Sequence, residues 1–466
     1  MVAGEHVGLR NQKIIIVILL LLLFPLRPGE GIKITIKSKI KNRRMNITVL
    51  GLWHLGCVTA SCCAKHFRVT GLDFDAPTIA RLSGGKAPLF EPGLDDLIAA
   101  GLAAKNLSFT TDAANACANA DLLWLCHDTP VNDDDESDVD FVLGHLRRAL
   151  PHLPEGALVL ISSQLPVGTC ARLEAEFPRF HFACSPENLR LGKAIEVFCQ
   201  ADRFIVGIRN DARRALLERL FAPFTSQVIF MRTESAEMVK HALNAFLAVS
   251  VTFINEIARL CEHVGADAKE VSVGLKSDLR IGPKAYLGPG GPFAGGTLAR
   301  DVVTLTKLGA AKGEALALIP AIKQSNDGHR RWVFHRLRSR LGELRGKTVA
   351  VLGLAYKPGT DTLRRSAAVE LCEALLKAGC AVRAFDPVVK QLPTELGGVT
   401  LARSVAGALR GADAAAVCTE WPEFRQADWP AAVAAMRGRV IVDANRFLEK
   451  ELKAAAGVEH LSVGRP

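Results

Sequence analysis

The chain is predicted to fold as two Rossmann-like α/β domains with doubly wound parallel sheets, joined by a central helical domain that contains one long helix. Three observations predict it. Short unbroken apolar runs alternate with helical stretches early in the chain and again near its end, as expected for parallel strands buried on both faces. Two of those runs end in similar glycine turns, Gly51-Leu52-Trp53 and Gly353-Leu354-Ala355. Between them, from about Thr233 to Gly265, apolar residues recur at helical rather than alternating spacing.

Residues 1–44 read as a leader. The first 45 residues hold nine lysines and arginines against Glu5 and Glu30, so most of the net charge of +10 belongs there. The body then lacks the basic excess of a nucleic-acid binder. Ile14 to Leu26 is an apolar run too short to span a bilayer comfortably, and no small-x-small cleavage site follows. Met45 stands directly before the first strand, which points to an overlong start rather than a signal or membrane anchor. The twelve cysteines are scattered without metal-ligand spacing. That predicts a reduced, cytoplasmic protein with no metal site.

Residues 45–232 are expected to form the first α/β domain. Its strands are Asn46 to Leu50, a run ending at Asp73, Leu122 to Cys126, Leu158 to Ser162, Phe204 to Ile208 and Val228 to Met231, and its first helix reaches about Phe67. Residues 233–340 are the helical middle, with a glycine-rich segment from Gly288 to Gly296. Residues 341–466 are the second α/β domain, with strands Val349 to Leu352, Ala381 to Phe385, Ala414 to Cys418 and Val440 to Val442.

Gly51-Leu52-Trp53-His54-Leu55-Gly56 occupies the strand-to-helix position of a GxGxxG loop, and Asp73 follows where an acidic residue can bond an adenine-ribose hydroxyl. The helix N-terminus would offer amides to a pyrophosphate, so a dinucleotide is the expected ligand of this loop. Trp53 replaces the second glycine, whose purpose is close backbone approach to the phosphates. An indole there must swing away or displace the dinucleotide.

Eight further fragments occur in order: Glu91-Pro92-Gly93-Leu94, Thr129-Pro130, Pro166-Val167-Gly168-Thr169, Ser185-Pro186-Glu187, the pair Lys240 and Asn244, Arg280-Ile281-Gly282, Gly353 to Asp361, and Thr419 to Phe424. With them the body of the chain resembles the UDP-glucose/GDP-mannose dehydrogenase family. The resemblance implies oxidation of the C6 alcohol of a UDP- or GDP-hexose to a uronate by NAD, for surface polysaccharide biosynthesis, in a homodimer or larger homo-oligomer. It implies Glu187 as base, Lys240 as oxyanion stabiliser, Asn244 as holder of an oxygen or water, and Asp301 as the residue orienting Lys240 or the hydrolytic water. Lys240 and Asn244 lie one turn apart and so share a face. Gly51, Gly56, Asp73, Thr129 and Arg364 are the expected cofactor contacts. Arg280, Tyr286, Gly295 and Lys357 are the expected sugar-nucleotide contacts, Arg280 across a subunit boundary.

The departures are concentrated. The family's FGGSCFPKD stands here as Phe293 to Asp301, with Thr297 in the place of the nucleophilic cysteine, and no cysteine occurs between Cys261 and Cys372. Gln164 replaces a threonine, Leu191 a glutamate, Arg300 a lysine and Ala367 a proline. A thiol titrates near ~8.5 and is readily activated, whereas an aliphatic hydroxyl is not. Three readings remain open: a dehydrogenase impaired beyond the aldehyde, a non-catalytic sugar-nucleotide-binding paralogue that pairs with or regulates an active relative, or, on Ile14 to Leu26 alone, a membrane-anchored surface-polysaccharide component.

Overall fold

The computed structural model describes residues 44–466 except 133–135, 188 and 294–295. The expectations for the leader, apart from Arg44, and for Gly295 lie outside the described residues.

Eight strands form the first sheet: β1 (Asn46–Leu50), β2 (Arg68–Leu72), β3 (Leu107–Thr110), β4 (Leu122–Leu125), β5 (Leu158–Ile161), β6 (His181–Cys184), β7 (Phe204–Ile208) and β8 (Val228–Met231). Their order is β3-β2-β1-β4-β5-β6-β7-β8. Six more form the second: β9 (Thr348–Leu352), β10 (Ala381–Phe385), β11 (Val399–Leu401), β12 (Ala414–Val417), β13 (Val440–Asp443) and β14 (Glu459–Leu461), in the order β11-β10-β9-β12-β13-β14. The second sheet thus repeats the strand order of the first six strands, and the chain is built on two like halves. The second sheet is parallel throughout. The first departs from the all-parallel expectation at one pair, because β7 runs antiparallel to β6, with Cys184 opposite Gly207. The strand β8 then pairs parallel to β7.

The apolar runs follow from burial on two sides. On β1, Ile47 and Val49 enter one core while Leu50 enters the other. On β9, Val349 and Val351 face one core while Ala350 and Leu352 face its opposite. Each of these valines, leucines and isoleucines contributes about 1.5–3 kcal/mol by leaving water. Thr48 is the polar exception on β1, and its hydroxyl donates to the Ala116 carbonyl at 2.6 Å.

The helix after β1 spans His54–Cys63 and stops short of the expected Phe67, because residues 64–66 turn and return the chain to β2. The long helix runs Thr233–Val264 and ends on Gly265 at φ 75°, a left-handed cap that suits glycine. It is long and apolar enough to cross a membrane by length and composition alone. Its buried face, however, carries Glu237, Lys240, His241 and Asn244. On its other face Phe246, Phe253 and Leu260 are exposed, seven residues apart. All twelve cysteines are free thiols.

Candidate active site

A cleft of about 1370 Å³ opens between the carboxyl ends of the two sheets. The first half contributes Leu52, Trp53, Asp73, Phe90, Asp128 and Thr129, the helical middle Gly296 and Thr297, and the second half Tyr356, Lys357, Arg364 and Arg365.

The glycine turn after β1 keeps the shape its sequence promised. Gly51 has φ 94°, and a Cβ there would meet His127 at 2.6 Å; a Cβ on Gly56 would fall 1.6 Å from the Gly51 carbonyl oxygen. Both positions therefore demand glycine. Trp53 has φ −99°, a backbone open to any residue, and its side chain is 52% exposed along the cleft wall. Asp73 receives the Leu52 amide at 2.7 Å and the Asp75 amide at 3.0 Å, which fixes its carboxylate beside the loop. The Thr129 hydroxyl donates to the Gln164 carbonyl at 2.8 Å.

Lys240 lies on the long helix with its ammonium donating to the Glu187 carbonyl at 2.7 Å and pairing with the Glu187 carboxylate at 3.5 Å. Two residues given separate roles from the sequence, and far apart in it, are therefore in direct contact. A cavity of about 20 Å³ adjoins them, lined also by Gln164, Glu237 and His241, large enough for one water.

Asp301 is wholly buried. One of its oxygens receives His241 Nδ1 at 2.8 Å and the Gln164 amide; the other receives the Asn244 amide. The Gln164 side-chain oxygen accepts from Arg300, and the second ring nitrogen of His241 faces the Leu165 carbonyl at 3.2 Å. Asp301 thus bonds Asn244 but not Lys240, so the structure offers no contact by which it orients the lysine. The substituted residues Gln164 and Arg300 close this network.

Thr297 is exposed to the cleft in the first turn of the helix Gly296–Lys312. Lys357 also lines the cleft. Arg364 lines it too and donates to the Val131 carbonyl. Arg280 and Tyr286 do not reach it in a single chain: the Arg280 side chain is 89% exposed and paired with Asp278 at 2.7 Å, and Tyr286 is also exposed.

Two carboxylates to which the sequence assigned no role organise the site, Glu91 from the Glu91 to Leu94 fragment and Glu237 from the long helix. Glu91 is buried and receives the Gly192 and Ala194 amides at 2.8 and 2.9 Å and His54 Nε2 at 3.0 Å. It ties the glycine turn to the loop that follows Glu187. Glu237 receives the Gly168 and Cys170 amides at 2.6 and 2.9 Å, holding the Pro166 to Thr169 turn on the long helix. Their signal was an acid set among apolar neighbours.

The segment beginning at Gly288 is clamped in the same way. The Asn255 side chain brackets Gly290 and Gly291, and the Asn326 side chain both accepts from and donates to the Phe293 backbone. His329 Nε2 bonds the Gly290 carbonyl at 2.7 Å. Burial lowers the His329 pKa to about 4. A depressed folded-state value means the unfolded chain binds the extra proton first, so this contribution is present above about pH 6.5 and is lost as pH falls towards 4. Urea midpoints are expected to fall by the equivalent of about 3 kcal/mol over that window. His329→Gln should flatten that part of the pH profile.

Two nucleotide-binding halves facing one cleft across a helical middle define a dinucleotide-dependent oxidoreductase that presents its cofactor to a second, nucleotide-linked ligand. Three domain descriptions of one family match the chain: the NAD binding domain over residues 45–225, the central domain over 234–328 and the UDP binding domain over 350–450. The chain belongs to the UDP-glucose/GDP-mannose dehydrogenase family. It is 32% identical to the UDP-glucose 6-dehydrogenase TuaD of Bacillus subtilis, over 90% of this chain and 93% of that protein. It is 34% identical to the UDP-glucose 6-dehydrogenase of Pseudomonas aeruginosa, over 91% and 98%. A UDP-glucose dehydrogenase structure from Pyrobaculum islandicum superposes with a TM-score of 0.82 at 30% identity, over 95% of this chain and all of that one. A UDP-D-ManNAc dehydrogenase structure from Pyrococcus horikoshii gives 0.79 at 26%, over 90% and 99%.

Proposed function

We propose that the protein oxidises the C6 hydroxyl of a UDP- or GDP-hexose with NAD and releases product chiefly at the aldehyde. In this step the hydroxyl proton passes to Glu187 and the hydride to NAD, giving aldehyde, NADH and a proton. The Lys240 ammonium opposes the developing alkoxide charge. Gly51, Gly56, Asp73, Thr129 and Arg364 hold the dinucleotide side, and Lys357 the sugar nucleotide. Arg280 and Tyr286 would serve a neighbouring subunit's cleft, a role that suits their exposure. The exposed Phe246, Phe253 and Leu260 stripe supports pairing into a homodimer.

The observation that carries the reading is the split fate of the polar groups. Lys240 and Glu187 remain paired beside the site, while both oxygens of Asp301 are taken by Gln164, His241 and Asn244. With Thr297 at the nucleophile's position, neither a thioester nor a water oriented by Asp301 is at hand for the second oxidation. The test is NADH formation with UDP-glucose, GDP-mannose and related sugars in the presence of an aldehyde trap. One NADH per trapped aldehyde is expected. Lys240→Met should lower kcat by about 100-fold or more with sugar-nucleotide binding preserved; an unchanged kcat would remove Lys240 from the mechanism.

The second reading, a sugar-nucleotide-binding paralogue without turnover that regulates an active relative, is favoured by Trp53 in the cofactor loop. Tight sugar-nucleotide binding with no NADH under any condition would select it.

A further inference from the structure

The charged groups of the cleft are segregated by half. Among the described residues, the first-sheet side of its lining carries the carboxylates Asp73, Asp75 and Asp128, and the one basic side chain there is His127. Burial, more than the nearby His145, lowers the His127 pKa to about 4, so it carries no charge at neutral pH. On the second-sheet side stand Lys357, Arg364 and Arg365, with Asp361. A dinucleotide brings two phosphate charges to the first-sheet side, where the N-terminus of the helix His54–Cys63 is the anion-binding element.

That element already has an anion. The Leu55 amide, in the helix's first turn, donates to the Asp128 carboxylate at 3.3 Å. Asp128 follows β4 directly after His127, which packs against Gly51, and its side chain is exposed on the cleft wall. The other charges acting on it are those of His54, which is bonded to Glu91, Arg300, which donates to Gln164, and Glu187, which repels it. Trp53 lines the same wall.

We propose that the Asp128 carboxylate is a built-in competitor for the cofactor's pyrophosphate, holding the helix N-terminus and setting this chain's NAD affinity low while leaving its sugar-nucleotide affinity intact. This rests on the family's use of NAD and deepens it: Asp128 is an affinity-determining residue. Two like charges at one helix end cost affinity through repulsion and through loss of the amide donor. The carboxylate must turn aside, or the phosphates must sit further out, whenever NAD binds.

Titration calorimetry of the full chain with NAD, and separately with UDP-glucose, tests this. Asp128→Asn keeps the side chain's size and its acceptor for the Leu55 amide and removes only the charge. It is expected to tighten NAD binding at least tenfold, with Trp53→Gly adding to the gain and UDP-glucose binding within twofold of the unmodified chain. Equal NAD affinity in the unmodified chain and the Asp128→Asn variant would overturn the proposal and leave NAD as the cofactor. Tightening by Asp128→Gly alone would overturn it in favour of bulk as the obstacle. If no variant binds NAD while UDP-glucose still binds, the proposal fails together with the oxidoreductase reading beneath it.

Discussion

Thr297→Cys is expected to turn the protein into one that captures its own product, and not by itself into one that releases a uronate. The position lies in the first turn of the helix Gly296–Lys312 and faces the cleft. A thiol there gains thiolate character from the helix N-terminus. It would add to the aldehyde formed in the first step, and a second hydride transfer to NAD would convert the thiohemiacetal to a thioester. Hydrolysis then needs a held water, and the buried carboxylate nearest that task is committed to three donors. The expected result at saturating NAD is two NADH per site followed by arrest, with a sugar-nucleotide adduct on the intact protein mass. Adding Gln164→Thr frees one acceptor position on Asp301 and should restore turnover to the acid. Free release of uronate by Thr297→Cys alone would show that the Gln164 contact is no obstacle.

Asp301→Ala is expected to be the most destabilising single change in the site. The carboxylate has no solvent exposure and is the shared partner of His241, Asn244 and Gln164. Removing it takes the shared acceptor from two buried side chains, His241 and Asn244, and from the half-buried Gln164. Breaking a buried charged network in this way costs about 3–5 kcal/mol. Asp301→Asn should cost less than alanine but still register, because an amide turns one of its two acceptor positions into a donor facing donors. Chemical denaturation followed by far-UV circular dichroism measures both. If the alanine variant unfolds at the same urea concentration as the unmodified chain, the network has little energetic weight. The Gln164→Thr experiment then loses its rationale too.

Much of the fold could be read from the chain because both sheets are buried on both faces, so that β1, β4, β5, β9, β10 and β12 stand out as apolar runs. Four other strands could not. Leu107–Thr110, His181–Cys184, Val399–Leu401 and Glu459–Leu461 have only three or four residues each, and most mix polar with apolar side chains. Three of them are outer strands of their sheets, where one-sided pairing relaxes the demand for apolar residues. The reversal between β6 and β7 likewise has no local mark, since a strand's direction is set by its connection and not by its composition.

The site divides in the same way. Lys240 and Asn244 could be placed on one helical face from spacing alone, and Gly51, Gly56 and Asp73 from their order around a strand end. The closure of Gln164 and His241 on Asp301 could not, because it joins positions 137 and 60 residues apart. Sequence reasoning marked Gln164 as a substitution without its partner and passed over His241. It also missed Asp128, because an acid beside a recognised Thr-Pro turn looks like part of an ordinary loop.

Glu91 has a consequence for timing. A single side chain braces His54 at the cofactor turn and, through two amides, the loop that leads back to Glu187. On the roles proposed above, a dinucleotide that displaced His54 would bear, through Glu91, on the Gly192 and Ala194 amides of the segment leading back to Glu187 before any hydride moved.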